Sequence, residues 1–409
     1  MTIQTHKLSE HLTHKANLKQ TRYGWLRLTP AHSVHLISEL LESQQDAASS
    51  VLDPFCGTGT TALVCAERGI PCDTTDINPF LVWLTETKTS SYTSEEIKAF
   101  REAACRVADS LADDEAEGWM PPLHQIEKWW DTPTLNALSN GRRRIGASNG
   151  IFPKPVFDLL QIAFCRVLIE RANVSFGHQS MSFKKADEAL TLFGEEAAIL
   201  ENWRIVCREI ERSASSPIAV SPRALLLDAR HLTRELPHNH YSCVITSPPY
   251  PNRMSYIREL RPYMYWLGYL KDGRQAGELD WQAIGGTWGC ATSNVGKWEP
   301  TDDRSIPHPG FEVLLARIAE QSSVLSRYVH KYFFDMVEHI SELFSVVKSG
   351  GSVHYIVGNS KFYDVLLPVE EIFAALFSAV GFKKVAIRTI RKRTSKKELF
   401  EYIVSAQKP

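Results

Sequence analysis

Three absences frame this 409-residue chain. It lacks a charge bias: 46 Lys and Arg stand against 47 Asp and Glu, a formal net charge of -1. No global field draws it toward nucleic acid, so such a partner must be held by local basic patches. It lacks paired cysteines. The eight are scattered without a Cys-x-x-Cys spacing, which argues against a zinc ribbon or a disulfide framework and fits a reducing cytoplasm. It also lacks long apolar runs. No stretch reaches the ~18 residues of a spanning helix, and the polar, His-rich amino terminus has no apolar signal core. There is no internal repeat or low-complexity tract. What remains is ordinary, 44% hydrophobic and 23% charged, in a length that suits one elaborated domain or two to three smaller ones.

The chain is organised around Ser247-Pro248-Pro249-Tyr250, which closes the apolar run Cys243-Val244-Ile245-Thr246. That run reads as a buried strand, and two prolines without N–H donors must end its ladder. Ligands bind at the carboxyl ends of strands in open α/β sheets. A stiff turn with free carbonyls, a hydroxyl and a stacking ring suits a flat group carrying an exocyclic amine, such as a nucleobase out of its duplex. The plain alternative is a strand-terminating turn and nothing more.

A second motif lies upstream. Val51-Leu52-Asp53-Pro54-Phe55-Cys56-Gly57-Thr58-Gly59-Thr60 reads as strand, glycine loop and helix start. Gly57 and Gly59 let the backbone approach a ligand, and the helix amino terminus favours negative charge. Asp53 is placed to take an ammonium group. The spacing Gly57-x-Gly59-x-x-Ala62 also fits the dinucleotide fingerprint. Asp76, 23 residues after Asp53, closes the next short strand, where an acid meets a ribose diol. Its structural alternative is to cap the helix that starts near Pro79.

Residues 80–220 break the βα rhythm and read as helical, over Ser94–Leu111, Leu123–Trp130, Val156–Ala172 and Glu195–Ser213. The strand pattern resumes at Ala224–Leu227 and ends in Asp228, which can receive an adenine amino group or cap a loop. Beyond the Ser247–Tyr250 turn, Arg253, Arg258 and Arg261 interleave with Tyr256 and further aromatic residues up to Trp266, an arrangement suited to phosphates and stacked bases. Trp129-Trp130, Arg142–Arg144 and the turn at Phe183-Lys184-Lys185 carry the same hint more weakly. Residues 271–310 look irregular. A helix over Phe311–Val347, a glycine stop at Lys348–Gly351, a strand over Ser352–Val357 and a helix over Pro368–Val380 follow. Two final strands, Lys383–Ile390 and Glu401–Ala406, flank a basic connection with Arg391 and Arg393. That connection is either a phosphate-contacting edge or a charge-protected edge strand.

Together the motifs resemble the S-adenosylmethionine-dependent DNA amino-methyltransferases. Phe55-Cys56-Gly57-Thr58-Gly59 is similar to their cofactor motif, and Ser247–Tyr250 to their catalytic [DNS]-P-P-[YFW] motif. Asp76 then matches the ribose acid, Asp228 the position beside adenine, and Thr29-Pro30-Ala31 the cofactor-covering segment. The resemblance implies a Rossmann-like, seven-stranded, mostly parallel α/β sheet with a carboxyl-terminal antiparallel hairpin. The core would comprise residues 1–85, 222–270 and 328–409. A helical insertion at 86–221 and a loop-rich region at 271–327 are the alternative homes of target recognition. The Ser form of the motif is associated with cytosine-N4 rather than adenine-N6 methylation. Double-stranded DNA is the implied partner, with a cognate restriction endonuclease possible, and neither a metal nor a cysteine nucleophile is required. Competing readings are an RNA or protein-amide methyltransferase, a nicotinamide-dependent oxidoreductase, and a catalytically silent DNA-binding relative.

Overall fold

A computed structural model describes residues 17, 21–26, 32–44, 48–111, 119–175, 182–184, 195–252, 254–393 and 398–409. Its centre is a seven-stranded sheet: β1 (Val51–Asp53), β2 (Cys72–Asp76), β3 (Arg223–Leu226), β4 (Tyr241–Thr246), β5 (Val347–Gly358), β6 (Lys383–Lys392) and β7 (Phe400–Gln407). The order across the sheet is β6-β7-β5-β4-β1-β2-β3. The five strands from β5 to β3 run parallel, and β7 is antiparallel to both of its neighbours. This is the expected sheet with its closing hairpin. The chain runs outward from β1 to β3 and returns to β4 on the other side of β1. The switch point of the sheet therefore lies between β1 and β4, where open α/β sheets bind ligands.

Local chemistry sets the flanking helices. Ser33 caps α1 (Val34–Glu42), whose Leu36, Ile37, Leu40 and Leu41 are buried. Left-handed Gly59 and Gly69 bracket α2 (Thr60–Arg68). A Cβ on Gly59 would stand 2.8 Å from Thr85 Oγ1, so that glycine serves the approach of α3 (Pro79–Thr89) as well as its positive φ. The cap of α3 is Asn78, which accepts from Phe80 N, with Pro79 in the first turn.

The helical stretch after α3 is confirmed and comprises α4 (Ser94–Leu111), a short turn at Ile126–Trp129, α5 (Thr132–Ser148), α6 (Lys154–Glu170) and α7 (Glu195–Ala214). Trp129 and Trp130 are buried in its core. The described amino-terminal residues 21–26 dock on this core. The buried Arg22 guanidinium donates to the carbonyls of Lys88, Ser90, Ser213, Ala214 and Ser216, and it lies over the rings of Trp25 and Tyr92.

Four expectations need correction. Residues 271–327 are not loop-rich: they hold α9 (Gly273–Gln282), α10 (Cys290–Lys297) and α11 (Phe311–Ala319), after α8 (Tyr256–Leu267). The long helix from Phe311 is broken at Glu320–Ser322, where Ser322 caps α12 (Ser323–Val346). Lys348–Gly351 belongs to β5 rather than ending a helix, and Gly350 has φ +78°. The helix expected over Leu123–Trp130 is one turn, and α5 was not foreseen. The last helix, α13 (Val369–Val380), lies where it was read and packs near β6 and β7.

Candidate active site

The two motifs meet at the switch point. Asp53 ends β1 and Thr246 ends β4, and the Thr246 hydroxyl donates to Asp53 Oδ1 at 2.6 Å. Two β2 threonines fix the start of the glycine loop: Thr74 Oγ1 donates to Asp53 O at 2.8 Å and Thr75 Oγ1 to Pro54 O at 2.9 Å. Beneath the loop, the buried Lys88 ammonium donates to Thr58 O at 3.0 Å, and burial pushes that group down to about 7.

Between the loops lies a cleft with about 1120 Å³ of empty space including its mouth. Phe55, Cys56, Gly57 and Asp76 line one side, Asp228 and Ala229 another, and Ser247 and Pro249 a third. Pro54 also reaches it, whereas Asp53, Gly59 and Thr60 lie behind the lining. Thr29 and Pro30 fall outside the described residues, as do Arg253 and Lys185.

The acids differ in state. Asp76 does not cap α3. Its Oδ2 accepts from Gly57 N at 3.2 Å and its Oδ1 from Asn78 N at 2.9 Å, so it braces the glycine loop. Desolvation raises its carboxyl to about 6. Asp53 is fully buried and its Oδ2 has no hydrogen-bond donor within bonding geometry among the described residues, although the Thr61 hydroxyl lies beside the carboxylate. Desolvation raises Asp53 to about 7. Asp228 takes the capping role of its two alternatives and also faces the cleft. It caps the short helical turn Ala229–Arg234 by accepting from Arg230 N. Its two oxygens also hold the Arg230 guanidinium at 3.0 and 2.6 Å.

The Ser-Pro-Pro-Tyr turn is braced from two sides. Tyr332 of α12 donates to the Pro249 carbonyl at 2.7 Å; the Pro248 carbonyl accepts from none of the described residues. Ser247 is half-buried, and its hydroxyl lies beside that of Tyr250. Tyr250 is 7% exposed and lies outside the cleft lining. Its hydroxyl donates to Glu401 Oε1 at 3.3 Å, Arg393 lies over its ring at 5.8 Å, and Gly358 of β5 meets its edge.

The aromatic–basic stretch after the turn is rearranged relative to expectation. Tyr263, Tyr265 and Trp266 are core residues of α8. Arg261 is clasped by Trp129 and Trp288 at 5.0 and 5.7 Å, and it donates to Arg258 O. That carbonyl lacks its helical donor because residue 262 is proline. Tyr256 lines the cleft, whereas Arg258 is exposed. Arg391 is paired with Glu401 at 2.5 Å, and Arg393 donates to Asn359 O at 3.1 Å. Lys184 is exposed. Arg142 donates to Trp266 O and Arg143 to Asn140 Oδ1, so among the described basic candidates Arg144, Lys184 and Arg258 are exposed rather than engaged with other side chains or carbonyls.

Several residues at or behind the cleft wall were not anticipated. His32 reaches the cleft and lies 3.4 Å from Thr61 Oγ1; burial lowers it to about 4, so its ring is neutral. The buried Asp280 accepts from Ser255 Oγ at 2.5 Å and from Trp288 N at 2.6 Å, which holds the Gly285-Gly286 wall against the start of α8. His339 stands edge-on to Phe55 at 4.8 Å and bonds to Ala229 O and the Tyr355 hydroxyl. Only Asn78-Pro79 had a local signal, that of a helix start. The others come from distant segments brought together by the fold.

No family model matches the chain. It is similar to the type II methyltransferase M.AvaI of Nostoc sp. (strain PCC 7120), 21% identical over 96% of this chain and 87% of the relative. M.AvaI of Anabaena variabilis matches to the same extent. The type II methyltransferase M.BsoBI of Geobacillus stearothermophilus is 22% identical over 93% of this chain and 82% of its own length. Among solved structures, the rRNA methyltransferase aviRa from Streptomyces viridochromogenes aligns over 93% of this chain and 87% of its own, at 11% identity and a TM-score of 0.28, a likeness too low to carry argument. The curated relatives, alike along nearly the whole chain, support a methyltransferase.

Proposed function

We propose that this chain is an S-adenosylmethionine-dependent DNA methyltransferase that modifies the exocyclic N4 amine of a cytosine extruded from the duplex, as the modification partner in a restriction–modification system. The observation that carries this reading is the meeting of the glycine loop and the Ser-Pro-Pro-Tyr turn across one cleft at the switch point of the sheet. The names of the relatives support it.

The residues present fit a nucleoside-bearing donor. Asp76 offers a carboxylate at the cleft for ribose hydroxyls, Phe55, Ile77 and Leu227 offer apolar walls for a purine, and Asp228 stands beside them. When bound, S-adenosylmethionine supplies a methyl group made electrophilic by a positively charged sulfur. The protein's part is to position the amine. Ser247 Oγ and the Pro248 carbonyl accept hydrogen bonds from its two N–H groups, aim its lone pair and offset the charge that develops on nitrogen until one of those protons is lost. Tyr250 stacks on the base, worth ~1–3 kcal/mol, against an extrusion cost of a few kcal/mol. For that, the Arg393 guanidinium over its ring gives way. The nucleophile is the amine itself, so no cysteine takes part. Walls of a second cleft come from Thr287, Thr292 and Val295, which supports the 271–327 segment as the part that faces the target.

The test is methylation mapping. The protein and its Ser247→Ala variant are expressed in a methylation-free bacterial host, and the DNA is read by a method that separates N4-methylcytosine, N6-methyladenine and 5-methylcytosine. One sequence motif carrying N4-methylcytosine, lost in the variant, is the expected result. N6-methyladenine would replace the base assignment. Unmodified DNA from a host making folded, cofactor-binding protein would overturn the DNA reading.

A further inference from the structure

Immediately after β5 the chain forms a small hairpin, Ser360–Phe362 paired with Val365–Leu367, with Phe362 opposite Val365. Its two-residue turn is Tyr363-Asp364. Tyr363 has φ +53°, at the position where such turns favour glycine or asparagine. A bulky residue in the left-handed region is an outlier that local stability does not explain. The Tyr363 side chain is also 53% exposed, so burial does not explain it either.

The hairpin itself is rigid. Phe362, Val365 and Leu367 are buried, and Phe362 stands edge-on to Tyr328 at 6.1 Å. Its root is fixed by Asn359, which donates to Glu398 O at 3.0 Å and accepts from Phe400 N at 2.8 Å. Lys361 pairs with Glu398 at 2.7 Å. A stiff support thus holds a strained aromatic residue out in solvent.

Its location ties it to the proposed catalytic turn. Tyr363 lines a second cleft, with about 1270 Å³ of empty space including its mouth, together with Asn252, Met254 and Arg258. Asn252 lies two residues past Tyr250, and Met254 lines both clefts, which makes them neighbours. At the other end of the hairpin, Gly358 meets the Tyr250 ring. Four residues therefore separate the support of Tyr250 from the exposed ring of Tyr363.

We propose that Tyr363 is the wedge that enters duplex DNA beside the target and fills the gap left by the extruded base. The inference rests on the proposed DNA methyltransferase activity. Removing a base from the stack exposes its neighbours, and proteins that unstack DNA insert an apolar or aromatic side chain between base steps. A rigid tip suits this task because a mobile one would lose its ordering entropy on insertion.

Once the methylated motif is known, kinetics on two synthetic duplexes test the wedge. In one the target base is paired; in the other it faces an abasic site, which lowers the cost of extrusion. Tyr363→Ala should lose about tenfold or more in kcat/KM on the paired duplex and return to within about twofold of wild type on the abasic one. Tyr363→Phe, which keeps the ring, should restore the paired-duplex rate. Tyr363→Gly relieves the backbone and should raise Tm by ~1–2 °C while losing the same activity as the alanine variant. Wild-type activity of Tyr363→Ala on the paired duplex, or an equal loss on both duplexes, would overturn the wedge alone. A wild-type protein that methylates neither duplex would bring down the functional reading, and the wedge with it.

Discussion

The Thr246 hydroxyl donates to Asp53 Oδ1 at 2.6 Å, a buried bond between residues 193 apart in the chain. It joins the tip of β4, one residue before Ser247, to the tip of β1, just before the glycine loop. Desolvation pushes the Asp53 carboxyl up to about 7, with the Thr246 bond opposing the rise. The joint between the two motifs is therefore a group that titrates near neutrality.

That shift predicts a pH signature. An unfolded Asp titrates near 3.9, so from ~4 to 7 the folded chain holds the Asp53 proton more tightly than the unfolded chain. Its contribution to stability is complete below the unfolded value and is lost as pH rises through about 7. Asp53→Asn cannot ionise and lacks this decline. Thermal melts from pH 5 to 8 should show the variant gaining on wild type as pH rises. His32, His339 and His354, each lowered to about 4 by burial, act in the opposite sense in this window and cancel in the difference. Parallel curves for the two proteins would refute the assignment.

Gly358 predicts a local failure. A Cβ there would stand 2.9 Å from Tyr250 Cε2 and 3.1 Å from an Arg393 guanidinium nitrogen. The arginine can move, but the ring is enclosed and cannot readily do so. Gly358→Ala should cost ~1–3 kcal/mol as overpacking and cut DNA methylation about tenfold or more by tilting Tyr250. The cleft at Asp76 and Phe55 is untouched, so S-adenosylmethionine affinity measured by calorimetry should stay within about twofold of wild type. Unchanged methylation would show that the Tyr250 ring position does not matter.

How much of this was legible in sequence depended on whether the signal was local. β1 and β4 could be read because each is a short apolar run closed by its own acid or proline, and β2, a polar Cys-Asp-Thr-Thr-Asp, because it follows a glycine-ended helix and closes on an acid. Helix α4 appeared with its expected bounds because Ile97, Phe100, Ala104, Val107 and Leu111 keep helical spacing beside a surface of charge. The segment 271–327 was misread because its helices are short and its glycines frequent: Gly277 permits α9 to approach Cys290 closely, and Gly286 lies against the Asp280 carbonyl. The aromatic–basic run after Tyr250 was misread for another reason. Composition does not tell which face of a helix is inward, and Tyr263, Tyr265 and Trp266 pack against the helical insertion. Tyr332, His339 and Asp280 reach the site from residues far along the chain, and nothing beside them in sequence points there.

Lys88 supplies the last prediction. It sits on α3, 1% exposed, and holds the glycine loop through Thr58 O. Desolvation lowers its ammonium from the usual value near 10.4 to about 7. Between those values the unfolded chain binds the proton and the folded chain does not, so wild-type stability rises as pH climbs from ~7 to 10. Lys88→Met keeps the length of the side chain and removes both the charge and the bond. At pH 7 the variant is spared the cost of burying an ammonium, and its Tm relative to wild type is at its highest. That advantage should shrink steadily in melts taken up to pH 9.5. Because Thr58 loses its anchor, S-adenosylmethionine should bind several-fold more weakly to the variant at every pH. A difference in Tm that does not change with pH would mean that Lys88 is charged throughout and that the loop rests on an ion rather than on a neutral amine.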